Sequence, residues 1–142
     1  MIIPNHNTVL LQSVAEVFTA SGLPIILGYV FGSQIVGHAT HTSDVDVAVL
    51  FSAKTTPAKR FAMRLKLISM LENALRKPVD LVVLNDIKSV FFKFVIISEG
   101  KKCFIADEDM MADFELATMN DYIDFKPFLD SYNDHYVQKH SK

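Results

Sequence analysis

Three short apolar runs, Ile25 to Phe31, Asp44 to Phe51 and Val79 to Leu84, constrain the fold of this chain more than any other feature. Each is rich in β-branched and aromatic residues, and each is bounded by Gly, Pro, Ser or Asn, the signature of buried strands. Around them the apolar residues switch to helical spacing. A first helix begins near Asn7-Thr8, carries Val9, Leu10, Ala15, Val17 and Phe18, and stops at Gly22 and Pro24. A second, over about 57–76, carries Phe61, Leu65, Ile68, Leu71 and Leu75, with Lys59, Arg60, Arg64 and Lys66 assigned to its solvated face. Asn85 or Asp86 is expected to cap a third helix running through Val90, Phe91, Phe94, Val95 and Ile97 and closed by Gly100. Lys102 to Ala106 reads as a fourth strand, and 109–137 as helical, with Pro127 expected to kink or divide it. Strands alternating with helices predict an α/β or α+β domain, a small sheet of about four strands flanked by helices.

Neither low complexity nor an internal repeat divides the 142 residues, so one domain is expected over 1–142, with a core at about 6–106 and a C-terminal helical segment at 109–137. Half of the residues are hydrophobic and 21% charged, which excludes a disordered chain. The mean hydropathy of +0.24 is greasier than a free-standing domain needs, which predicts apolar surface covered by a partner. No apolar run approaches the roughly 20 residues of a membrane helix. The first residues show no basic segment or cleavage site of a signal peptide. The single cysteine, Cys103, excludes an internal disulfide framework and a cysteine-based zinc cluster, and reads as a small apolar strand residue. A soluble cytoplasmic protein is expected, with no membrane association. Fourteen Lys+Arg against sixteen Asp+Glu leave a net charge of −2, so direct nucleic-acid binding is not expected.

The chemistry concentrates between Gly28 and Val49. Asp44 and Asp46 alternate with Val45, Val47 and Val49, so in a strand both carboxylates project to one side and the valines to the other. Adjacent carboxylates repel unless a cation lies between them. A hard divalent ion with oxygen ligands, such as Mg²⁺ completed by water and substrate phosphates, is the natural filler. Gly32-Ser33 stands where the preceding strand gives way to a loop. A glycine lets backbone N–H groups approach a phosphate, and a serine hydroxyl adds a donor. Either pair alone is an ordinary turn or strand start. Together, separated by ten residues and flanked by strands, they are far more specific. Asp80 heads the run Asp80-Leu81-Val82-Val83-Leu84, where a charge calls for a reason. Beside Asp44 and Asp46 it would hold metal or act as general base on an attacking hydroxyl.

Gly-Ser, ten residues, Asp-x-Asp and a later strand-borne Asp resemble the nucleotidyltransferase superfamily related to DNA polymerase beta, in particular its minimal MNT-domain members. Many of these are antitoxins paired with a HEPN-domain toxin, and the tail from Asp121 to Pro127 is also similar to theirs. The resemblance implies a small mixed sheet of that fold. It implies that Gly32, Ser33 and Ser43 hold the nucleotide, that Asp44 and Asp46 hold Mg²⁺, and that Asp80 is the third metal-binding and catalytic carboxylate. It implies ATP as substrate, a HEPN toxin as partner and a toxin tyrosine as AMP acceptor. Gln34 departs from the pattern, since relatives often carry a basic residue there. The competing expectation is an antitoxin that works by occlusion with a vestigial nucleotide site. The chain is not itself the HEPN nuclease, because no His follows Arg60, Arg64 or Arg76 at that family's spacing. His38 and His41 lie in the loop before Asp44, within reach of a nucleotide, though loop histidines are commonly just solvated. Phe91, Phe92, Phe94 and Phe104 are assigned to the core. Tyr122, Tyr132 and Tyr136, with His135 and His140, form a polar-aromatic surface or interface.

Overall fold

The computed structural model describes residues 6–32 and 44–140. Their elements follow one another as α1 (His6–Ser21), β1 (Ile25–Phe31), β2 (Val45–Phe51), α2 (Pro57–Leu75), β3 (Val79–Val83), a 3₁₀ turn (Leu84–Asp86), α3 (Val90–Glu99), β4 (Lys101–Ile105) and α4 (Glu108–His140). The sheet order is β3-β2-β1-β4. β1 runs antiparallel to both β2 and β4, while β2 and β3 are parallel. The sheet is therefore mixed, as the resemblance implies, with β1 and β2 at its centre.

Strand alternation sorts the core into two layers. Val45, Val47 and Val49 face α1 and α2 and pack against Val14, Phe18, Leu67 and Leu71. The opposite face carries Leu27, Tyr29 and Ala48, covered by Ile96 of α3 and by Met111 and Phe114 of α4. Gly28 is required in the first layer, because a Cβ there would overlap the buried Phe18 ring. That ring also meets Phe104 edge-on at 5.7 Å.

Several expectations change for physical reasons. The buried stripe of α2 is Arg60, Met63, Leu67 and Leu71, which leaves Phe61 and Leu65 exposed at 61% and 51%. Arg60 is not on a solvated face. Its Nε and Nη2 grip the Asp86 carboxylate and its Nη1 donates to the Thr55 carbonyl at 2.6 Å. Arg64 is likewise engaged, its Nε donating to the Leu81 carbonyl at 2.9 Å. The cap of α3 is Ser89, whose hydroxyl accepts from the Phe92 N–H, and not Asn85 or Asp86. Those two are spent elsewhere. Asn85 both accepts from and donates to the Phe51 backbone, and Asp86 pairs with Arg60. Pro127 lies inside α4, Glu108–His140, without dividing it. Phe91 and Phe92 are exposed rather than core, whereas Phe94 stacks on Tyr122 at 3.7 Å. Cys103 sits in β4 against the first layer, as expected, and burial pushes its thiol up to about 12. The expected surface roles of Tyr132, His135, Tyr136 and His140 concern side chains outside the described residues. No helix among the described residues is long and apolar enough to cross a membrane.

Gly28→Ala drives a methyl into a ring that cannot move aside, which predicts a loss of about 1–3 kcal/mol of stability. A urea titration checks this, with a lowered midpoint at unchanged slope as the expected outcome.

Candidate active site

The site is assembled by strand register. In the antiparallel pair Phe31 lies opposite Asp46, so Gly32 follows at the edge of that carboxylate. In the parallel pair Asp46 lies directly beside Asp80. Side chains of aligned residues share a face, which puts both carboxylates on the α3/α4 side of the sheet. Asp44, one residue before β2, is two positions from Asp46 and shares its alternation. Asp44 and Asp80 are exposed, and Asp46 is half-buried.

The electrostatics follow from that placement. Burial raises the Asp46 carboxyl above the usual carboxylate range, and the charges of Asp80 and Asp44 raise it further. Gly32 has a φ of +77°, and a Cβ on it would overlap Asp46 Oδ2. Any other residue would strain the backbone and displace the carboxylate. Thus the turn and the acidic pair are one unit. Among the described residues no group of three His, Cys, Asp or Glu side chains is gathered closely enough to hold a metal ion as it stands. The donor set nevertheless fits a hard divalent cation. It consists of carboxylate oxygens on neighbouring strands, with mutual repulsion and no basic side chain among the described residues within ion-pair distance of Asp46 or Asp80. Ser33, Gln34, His38, His41 and Ser43 lie outside the described residues.

Two features near the site go beyond the sequence-based expectations. Beyond Asp80 a cleft of about 650 Å³ runs along β3, lined by Phe61, Arg64, Asp80, Asp86, Ile87 and Lys88. On the carboxylate face, the fully buried Tyr29 donates its hydroxyl to Glu115 of α4, which also pairs with Lys102 at 3.1 Å. Burial and the Glu115 carboxylate hold the Tyr29 phenol far above its ordinary range. A tyrosine in an apolar run and a glutamate about ninety residues later carry no local signal of such a bond.

The family model of the polymerase beta nucleotidyltransferases matches residues 12–109, which include Gly32, Asp44, Asp46 and Asp80. The chain belongs to this family. Its four-stranded mixed sheet is therefore that of a polymerase beta-like nucleotidyltransferase fold. Among solved structures it is similar to a toxin–antitoxin complex with AMP-PNP, at a TM-score of 0.71 and 24% identity over 89% of this chain and 98% of that one. It is similar also to a variant of the MntA toxin–antitoxin pair bearing two Asp-to-Glu substitutions, with a TM-score of 0.70 and 22% identity over 94% and 99% of the two chains. A third is a tri-AMPylated Shewanella oneidensis HEPN toxin in complex with an MNT antitoxin, with a TM-score of 0.66 and 22% identity over 91% and 97%. No curated protein sequence matches the chain significantly.

Because the charges of Asp80 and Asp46 repel, Asp80→Asn is expected to stabilise the cation-free protein at neutral pH, raising Tm by about 1–3 °C. The gain disappears as pH falls through the raised Asp46 pKa, because protonation removes the same repulsion. Thermal denaturation in EDTA across pH measures both effects.

Proposed function

We propose that this nucleotidyltransferase is an antitoxin that transfers AMP from ATP to a tyrosine hydroxyl of a HEPN-domain partner and so silences it. The observation that carries this reading is the register of Asp46 beside Asp80, with Gly32 pressed against Asp46. Such an arrangement serves a phosphate-holding turn next to a metal-holding pair. The likeness to complexes described as toxin–antitoxin pairs, one with AMP-PNP and one with an AMPylated toxin, supports the partner and the donor.

Asp44 and Asp46 would hold Mg²⁺, with Asp80 as the third carboxylate. When bound, the ion neutralises charge on the phosphates and aligns the oxygens of an in-line displacement. The backbone at Gly32 and the hydroxyls of Ser33 and Ser43 would serve the nucleotide phosphates. Asp80 accepts the proton of the attacking hydroxyl. The tyrosine oxygen bonds to the α-phosphorus as the bond from that phosphorus to the bridging oxygen breaks, releasing pyrophosphate. The core at 6–106 and the helical segment at 109–137 work as one domain, tied by Tyr29 and Glu115.

The test combines the purified chain, ATP, Mg²⁺ and the HEPN-domain product of the adjacent gene, followed by intact-mass spectrometry. The partner should gain AMP units, and Asp44→Asn with Asp46→Asn should slow transfer by roughly 100-fold or more. Neutralisation by that double variant at unchanged potency, with no AMP on the partner in the wild-type reaction, would establish occlusion instead. That reading draws on Gln34, which stands where relatives often carry a basic residue.

A further inference from the structure

The strand order places the elements of the site in a line. Gly32 follows β1, Asp46 lies on β2, Asp80 on β3, and the cleft lies beyond Asp80 at the open edge of the sheet. In-line transfer puts the attacking and leaving oxygens on opposite sides of the α-phosphorus. With the triphosphate at the Gly32 turn, the acceptor must approach from the Asp80 end, which is where the cleft opens.

The cleft has a chemistry of its own. The Pro78 carbonyl accepts from the Val45 N–H, so alternation directs the backbone groups of Val79 and Leu81 away from the sheet. Side chains of α2 cover them: Glu72 accepts from the Val79 N–H at 2.9 Å, and Arg64 Nε donates to the Leu81 carbonyl. This blunts the edge against strand pairing. It also anchors Arg64 by one nitrogen and leaves most of its donors for a ligand. Arg60, one turn away, is neutralised by Asp86. Among the described residues neither Arg64 nor Lys88 pairs with a carboxylate, so the cleft holds two uncommitted cations beside the exposed ring of Phe61.

We propose that this cleft seats the acceptor segment, with Arg64 and Lys88 as specificity-determining residues that recognise an anion carried next to the attacked hydroxyl. The inference rests on the adenylyl-transfer reading above. The anion is either an acidic side chain beside the acceptor tyrosine or the phosphodiester of an AMP already attached. The latter bears on repeated addition, of which the tri-AMPylated toxin of one structural neighbour is an example.

Steady-state kinetics with the adjacent HEPN-domain product and ATP test this in Arg64→Met and Lys88→Glu. Lys88 makes no hydrogen bond among the described residues, so its variant keeps the test valid should Arg64→Met fold poorly. The expected result is an acceptor KM raised about tenfold or more at unchanged ATP KM. Weakening of the first addition identifies an acidic acceptor side chain. Weakening confined to later additions identifies the attached phosphodiester. An acceptor KM within twofold of wild type, or an ATP KM that rises instead, overturns the assignment. Absence of transfer by the wild-type chain would reject the adenylyl-transfer reading itself, a result distinct from transfer with unaltered variants.

Discussion

Carboxylates held side by side on adjacent strands repel, and the backbone of this protein forces Asp46 and Asp80 into that position. The valines that alternate with Asp44 and Asp46 explain why the arrangement persists. Val45 and Val47 are completely buried between the sheet and α1/α2, so a one-residue slip of β2 would bury carboxylates and expose the core. Hydrophobic register thus fixes a cluster of charge that is unfavourable without a compensating cation. Part of the folding energy is spent on holding that charge together. Gly32 completes the unit, because its missing side chain is what allows the turn after β1 to touch Asp46.

The second face of the sheet connects this site to the rest of the chain. Tyr29 sits in the central strand β1 and reaches α4 through Glu115, while Lys102 of β4 closes the same carboxylate from the edge. A buried tyrosine hydroxyl without an acceptor would be strongly destabilising, so α4 is bound to the carboxylate face by polar satisfaction as well as by packing. Stacking of Phe94 on Tyr122 adds a second attachment through α3.

Strand positions and the acidic constellation were legible in the sequence because both depend on local alternation. Ile25–Phe31 and Val45–Phe51 announce themselves as apolar runs, and Asp-x-Asp declares its own facing. The register that puts Asp80 beside Asp46 is a long-range property, and in the sequence only the charge at the head of an apolar run and the family resemblance point to it. The face of α2 differs from its sequence spacing for a related reason. Phe61 and Leu65 have the right spacing for a core, yet the buried stripe is centred on Arg60 and Met63, because Asp86 supplies a partner for the guanidinium. Nothing around Arg60 signals a carboxylate from a turn twenty-six residues later. The cap of α3 moved to Ser89 because Asn85 and Asp86 had better partners in Phe51 and Arg60.

On the function proposed above, the register-enforced carboxylates form a cation-dependent nucleotide site. Calorimetric titration of a non-hydrolysable ATP analogue into the protein, with Mg²⁺ and then with EDTA, tests it most directly. The expected result is binding that weakens about tenfold or more in EDTA and equally in Asp46→Asn with Mg²⁺ present. Equal affinity under all three conditions would contradict it.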